Sequence, residues 1–186
     1  RDAALFRWGS PMADILRTDK PRIKAMSPRG RDWLVALEGG SKLKAYRDSI
    51  GVPTIGPGLT MLITPRGFQR VTMADRFESQ QAAMTQFAKQ LKRYEALVDA
   101  ATRDDITQQE FDAFTSLAYN CEAAMRGSTL VKRFNARAPL LVIVSELQRW
   151  NRAGGQISEG LIERRQCESD LLQYGCYRVQ GQRRAA

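Results

Sequence analysis

The sequence predicts an α+β fold: a mainly helical body carrying one small β-hairpin lobe near its amino-terminal side, with a long connecting helix. Three observations predict it. Strand-forming residues and glycines gather in residues 42–63, apolar residues recur at helical spacing through most of the chain beyond, and no internal repeat is present. At 186 residues, 43 % hydrophobic and 26 % charged, the chain suits one globular domain of two small lobes sharing a core.

The elements follow in order. Residues 1–26 hold Gly9, Pro11, Pro21 and six basic side chains, a composition that predicts an N-terminal extension or arm, which Phe6, Trp8, Ile15 and Leu16 can pin to the body. A helix is then punctuated by Ser27 as N-cap, Pro28 in the first turn and Gly39 just past the end, with Trp33, Leu34 and Leu37 on one face. Glu38 thus falls at a helix C-terminus, where the negative end of the macrodipole opposes ionisation of a shielded carboxylate. In residues 42–63, Tyr46, Val52, Thr54 and Ile55 form strands, and Asp48, Ser49, Gly51, Gly56 and Gly58 form turns.

A long helix is predicted over 72–100. Thr72 caps it with Asp75 three residues on, and Met84, Phe87, Leu91, Tyr94 and Val98 mark its apolar stripe. It either bridges two lobes or lies in the core of one. The remainder reads as helical: "TQQEFDAFTSLAYN" opens with a capping box, Thr107 and Glu110; "STLVKRFN" starts at Ser128; "PLLVIVSELQRW" uses Pro139 in its first turn; "EGLIERRQCESDLLQYG" ends at Gly175. Residues 178–186 form a basic C-terminal tail.

Composition excludes several chemistries. There is no histidine, which removes histidine-based triads, zinc sites and general bases, and leaves carboxylates as the acid/base candidates. Cys121, Cys167 and Cys176 have no CxxC spacing, so buried apolar thiols are expected ahead of a disulfide with one thiol left over; no metal or other cofactor is expected. The longest apolar run, residues 139–144, is far short of the ~20 residues of a membrane span. The amino end lacks the apolar core of a secretory signal and begins at arginine, which suggests a processed end. Twenty-nine Lys and Arg against 20 Asp and Glu give a formal +9, favouring anionic partners. The basic residues are scattered without interleaved aromatics, so no nucleic-acid surface is expected.

Hydrolysis of a glycosidic bond needs one carboxylic acid to protonate the leaving oxygen and a second group to direct water or stabilise the cationic transition state. Glu38 at its helix end and Asp48 in a polar turn have the contrasting environments that separate acid from base. Thr54, across a tight hairpin, has a hydroxyl able to hold the water. With 20 acidic residues in the chain, that spacing alone is a weak signal.

The wording of the segment is specific. "EGGSKLKAYRDSIGVPTIGPG" resembles the active-site signature of the phage-type lysozymes, glycoside hydrolase family 24, and "QQEFDAFTSLAYN", "STLVKRFN", "WNRAGG" and "GLIERRQCESDLL" are similar to its body motifs in the same order. The resemblance covers residues 27–172 and implies a lysozyme-like domain over 27–177. It implies a muramidase cleaving the β-1,4 bond between N-acetylmuramic acid and N-acetylglucosamine of peptidoglycan, usually with inversion. Glu38 would be the general acid, Asp48 the base or charge stabiliser and Thr54 the water-positioning hydroxyl. The expected setting is an endolysin or virion-associated lysozyme, held in the host cytoplasm or the virion and acting in the periplasm on the cell wall. Residues 1–26 are available to other virion or tail proteins.

The chain departs from the family pattern in three places. One extra residue separates Glu38 from Asp48, a change that Gly39 and Gly40 can tolerate. Pro57, Gly58 and Leu59 stand where Tyr-Gly-His is common, a loss expected to loosen the β-lobe. Cys121 replaces a small aliphatic residue and is expected to pack in the core. These departures favour the alternative reading, a catalytically impaired peptidoglycan-binding or structural virion module. Arg164 and Arg165 are near enough in the motif order to balance Glu38, but read as solvated helix arginines, since exposed ion pairs contribute little.

Overall fold

The computed structural model describes residues 22–48 and 50–179. Residues 1–21 with Phe6, Trp8, Ile15 and Leu16, the turn residue Ser49 and residues 180–186 lie outside the described residues.

Helix α1 (Pro28–Leu37) starts where Ser27 Oγ accepts the Gly30 N–H, and it buries Trp33 and Leu34. Beyond it come β1 (Lys42–Arg47), β2 (Pro53–Gly56), β3 (Met61–Thr64) and β4 (Gly67–Arg70), paired as two antiparallel hairpins. The strand lobe therefore extends past the expected limit at residue 63 by a second hairpin. Lys42 pairs with Gly56 and Tyr46 with Thr54, so β1 carries a bulge between them. The bulged stretch finds partners on its other side: Ala45 N–H donates to Asp75 O at 3.1 Å and Phe77 N–H to Leu43 O at 2.8 Å.

Helix α2 (Gln80–Ala101) is capped seven residues later than expected, at Ser79, whose hydroxyl accepts the Ala82 N–H. The predicted cap at Thr72 is instead a turn: Asp75 Oδ2 accepts from Thr72 N at 2.6 Å and Thr72 Oγ1 at 3.0 Å. The same local bonds satisfy a turn as well as a helix start, and here residues 75–77 are held by β1. After α2 come α3 (Gln108–Asn120), a 3₁₀ turn (Glu122–Met125), α4 (Thr129–Asn135) and α5 (Leu140–Gln148). The Thr107–Glu110 capping box is formed in both directions. The expectation of helix throughout this region fails at β5 (Arg152–Ala153) and β6 (Gln156–Ile157), a hairpin turned by Gly154 and Gly155, both at positive φ. Helix α6 (Glu159–Tyr174) ends at Gly175 in the left-handed conformation.

Two apolar clusters form the interior. One gathers Trp33, Leu34, Ile55, Leu59, Phe87 and Leu91 under the strand lobe; the other gathers Val98, Phe111, Phe114, Leu117, Leu130 and Phe134 in the helical body. Helix α2 contributes Phe87 and Leu91 to the first and Val98 to the second, so it bridges two lobes. Leu59 is 2 % exposed and bonds Ile55 in both directions at 2.9 Å, so the β-lobe is closed where loosening was expected. Cys167 is buried, Cys121 and Cys176 are half-buried, and no disulfide forms among the described residues.

Both flanks are docked where they are described. Arg22 pairs with Asp99 at 2.6 Å and with Asp104, and Met26 is buried with its N–H on Glu95 at 2.9 Å. At the other end, Trp33 Nε1 donates to Arg178 O and Tyr177 OH to Asp112 Oδ2, each at 2.7 Å. Asp112, fully buried in α3, also accepts from Ser27 N, Ser27 Oγ and Gln108 Nε2, so it seats the start of α1. Burial, then the bond to Asp112, push the Tyr177 phenol up to about 12.

Two outcomes follow from that seat. A Cβ on Gly30 would stand 2.4 Å from Asp112 Oδ2. Gly30→Ala should therefore lower stability by about 2 kcal/mol and Tm by roughly 4–8 °C; an unchanged calorimetric Tm would show that α1 does not rest on Asp112. Because the folded state favours the protonated phenol, the stability from Tyr177 is complete below its ordinary pKa of about 10 and is lost as pH rises through about 12. The gap in stability between the natural chain and Tyr177→Phe should narrow across that window in chemical denaturation, and a constant gap would contradict the assignment.

Candidate active site

Glu38 is the C-cap of α1, its N–H on Leu34 O at 3.1 Å, and Gly39 and Gly40 at positive φ turn the chain into β1. Its side chain is 18 % exposed, and Oε1 accepts from Arg164 Nη1 at 2.6 Å. The solvated reading of Arg164 and Arg165 is overturned: both are buried in α6. Arg164 also approaches Ser116 O at 3.3 Å and Glu168 Oε1 at 3.4 Å, and Glu168, fully buried, pairs with Arg165 at 2.6 Å. Ser116 Oγ donates to the same carboxylate at 2.7 Å. Glu38, Arg164, Glu168 and Arg165 thus form an alternating line of charges running from the site into the core. Burial acts to lower the Arg164 pKa, but the Glu38 and Glu168 carboxylates outweigh it and hold the guanidinium above its ordinary value.

Asp48 follows β1, and the turn is folded around it. Its Oδ1 accepts the N–H groups of Ile50 at 3.0 Å and Val52 at 2.8 Å, while its own N–H donates to Val52 O at 3.0 Å. This is an Asx turn, and it occupies one carboxylate oxygen. Thr54 stands opposite Tyr46 in the ladder, is 3 % exposed, and donates Oγ1–H to Val52 O at 3.0 Å. Its proton is committed, so the hydroxyl offers lone pairs. Tyr46 connects the carboxylates: burial first, then the fields of Glu38 and Asp48, raise its phenol above the ordinary value. Both carboxylates therefore act on one side chain of β1.

Two further residues shape the space: Gly58, which the sequence marked only as a turn residue, and Tyr119, which it did not single out. Gly58, at φ 74°, runs so close to Glu38 that a Cβ there would lie 2.6 Å from Oε2. Tyr119 of α3 donates to Pro57 O at 2.6 Å and packs edge-on against Phe87 and Tyr94. Burial, then Glu38, push its phenol well above the ordinary value, keeping it a neutral donor that ties the β2–β3 turn to the helical body. Arg164 had a readable signal: positions 164, 168 and 171 share one face of a helix whose Leu171 is apolar.

Comparison with known proteins identifies the family of the chain. The family model described as phage lysozyme matches residues 36–168. The SAR-endolysin of Pseudomonas phage phiKMV is 35 % identical over 73 % of this chain and 80 % of its own. The endolysin of Bacillus phage B103 is 38 % identical over 42 % of this chain, which spans 30 % of that protein's length. Among solved structures, the endolysin from Escherichia coli O157:H7 phage FAHEc1 superposes with a TM-score of 0.72 and 33 % identity over 83 % of this chain and 96 % of that one. With a family match running from the end of α1 into α6, the chain belongs to the phage lysozyme family.

Proposed function

We propose that the chain is a muramidase that hydrolyses the β-1,4 glycosidic bond between N-acetylmuramic acid and N-acetylglucosamine in peptidoglycan, with residues 27–177 as the catalytic domain. The observation that carries the reading is the 2.6 Å contact that anchors Glu38 on the buried Arg164, with Asp48 held by backbone N–H groups in the turn between β1 and β2. Glu38 donates its proton to the leaving oxygen. The carboxylate that remains is met by Arg164, so this interaction strengthens as the bond breaks, the condition for lowering a barrier. Asp48, with Oδ1 held by two backbone N–H groups, keeps Oδ2 for the water or for the developing positive charge of the sugar. Thr54 accepts a hydrogen bond from that water and orients it.

The extra residue between the carboxylates supports rather than weakens this reading. The positive-φ glycines after Glu38 and the bulge in β1 give the added length a place, while Tyr46 remains opposite Thr54. The cell wall is the site of action, reached from the cytoplasm of a lysing host or from a virion. Cell-wall carboxylates complement a chain of formal charge +9.

Dye release from labelled cell walls tests the roles. Glu38→Gln should lose about 10²–10⁴-fold in rate while keeping a cooperative thermal transition, and Asp48→Asn about 10²-fold. Near-zero release from both the natural chain and Glu38→Gln would end the enzymatic reading. Gly58→Ala should displace the acid and cost about 10²-fold in kcat with little change in KM; a KM effect alone would remove Gly58 from the positioning of Glu38.

A further inference from the structure

Away from the catalytic groups, a second concavity opens between the amino-terminal half of α1 and the first half of α2. It holds about 460 Å³, within the ~300–1,000 Å³ common for ligand sites. Its floor includes Pro28, Met84 and Ala88, and its walls carry Arg31, Lys89 and Lys92 with a single acid, Asp32. Arg31 and Asp32 stand about two turns of α1 from Glu38, so the cleft is distinct from the site but rigidly linked to it.

The charges of this cleft have no partner among the described residues. Many arginines of the helical body are engaged, among them Arg22, Arg103, Arg137 and Arg164. The side chains of Arg31, Lys89, Lys92 and Asp32 make no ion pair or hydrogen bond among the described residues. Three cations from two helices beside Pro28, Met84 and Ala88, with Asp32 as the one acid among the lining residues, complement a ligand whose carboxylates alternate with small apolar groups. Asp32 adds a place for one amine. A membrane surface fits poorly, because none of the exposed large hydrophobic side chains, such as Phe68 and Leu141, belongs to the cleft. A phosphate polymer would meet Asp32 as a repelling charge.

We propose that this cleft binds the peptide stems of peptidoglycan, short peptides in which alanine methyls alternate with free carboxylates and one side chain ends in an amine. The proposal rests on the function inferred above and deepens it: the stem held at one end of α1 keeps a glycan strand near the acid at the other end. Carboxylates of the stem lie against Lys89, Lys92 and Arg31, alanine methyls on Met84 and Ala88, and the amine beside Asp32.

The test is titration of the full chain with the free tetrapeptide L-Ala-γ-D-Glu-meso-diaminopimelate-D-Ala, followed by calorimetry and by NMR. Saturable binding is expected, weakened about tenfold or more by Lys89→Glu with Lys92→Glu, and similarly by Thr85→Trp, which fills the cleft without changing charge. The pair Arg66→Glu with Arg70→Glu, an equal change of charge on the β3–β4 hairpin, should leave binding as it was. The proposal is overturned by absence of saturable binding, by equal weakening from the hairpin pair, by indifference to both cleft variants, by unchanged affinity for a peptide with amidated carboxylates, or by tighter binding of polyglycerol phosphate. Hydrolysis of peptide-free glycan is measured in parallel. Intact labelled cell walls are assayed alongside it: absence of glycan cleavage in both substrates would overturn the glycosidase reading whatever the titration shows, and cleavage of cell walls without peptide binding would overturn the cleft alone.

Discussion

The contact between Glu38 and Arg164 joins residues 126 apart in sequence at the place where α1 meets the strand lobe. Arg164 is held in turn by Glu168, and Glu168 by Arg165 and Ser116, so the position of the Glu38 side chain is set by the core of the helical body as well as by its own short helix. Removing one member of such a buried line leaves an uncompensated charge, at a cost of about 3–5 kcal/mol. That cost makes the arrangement all-or-none: α6 must be packed against α3 before the arginine can face the cleft, and then the carboxylate has a fixed partner.

The strand lobe answers a different requirement. Its first turn is built from backbone bonds to Asp48, and its register places Thr54 across from Tyr46. Because β1 is bulged, its middle can pair with residues 75–77 while its end stays in step with β2. A length change upstream of the bulge is thereby separated from the geometry of the turn. Tyr119, bonded to Pro57 O, supplies the link by which this lobe and the helical body share one wall.

Local signals in the sequence were read well because the bonds they encode are local. Ser27, the Thr107–Glu110 pair, Ser128 and Gly175 all sit at the helix ends their spacing implied, each satisfying backbone groups within a few residues. Thr72 and Asp75 misled for the same reason: their bonds formed, but as a turn, since whether a helix continues depends on what residues 75–77 pair with. Glu38, Asp48 and Thr54 were selected through the order of a family's motifs, and their catalytic roles remain a proposal. Arg164 was misread because solvated and buried arginines look alike until the partner helix is in place, although Glu168 four residues on and Leu171 beyond it marked an inward face.

The clamp on α1 orders events in time. The helix capped by Glu38 leaves the ribosome well before Tyr177 and the Arg178 carbonyl, which complete its seat on Asp112 and Trp33. A polypeptide that reaches only residue 176 has a Glu38 whose supporting helix is not yet fastened, and the seat closes only once the stretch after α6 has emerged.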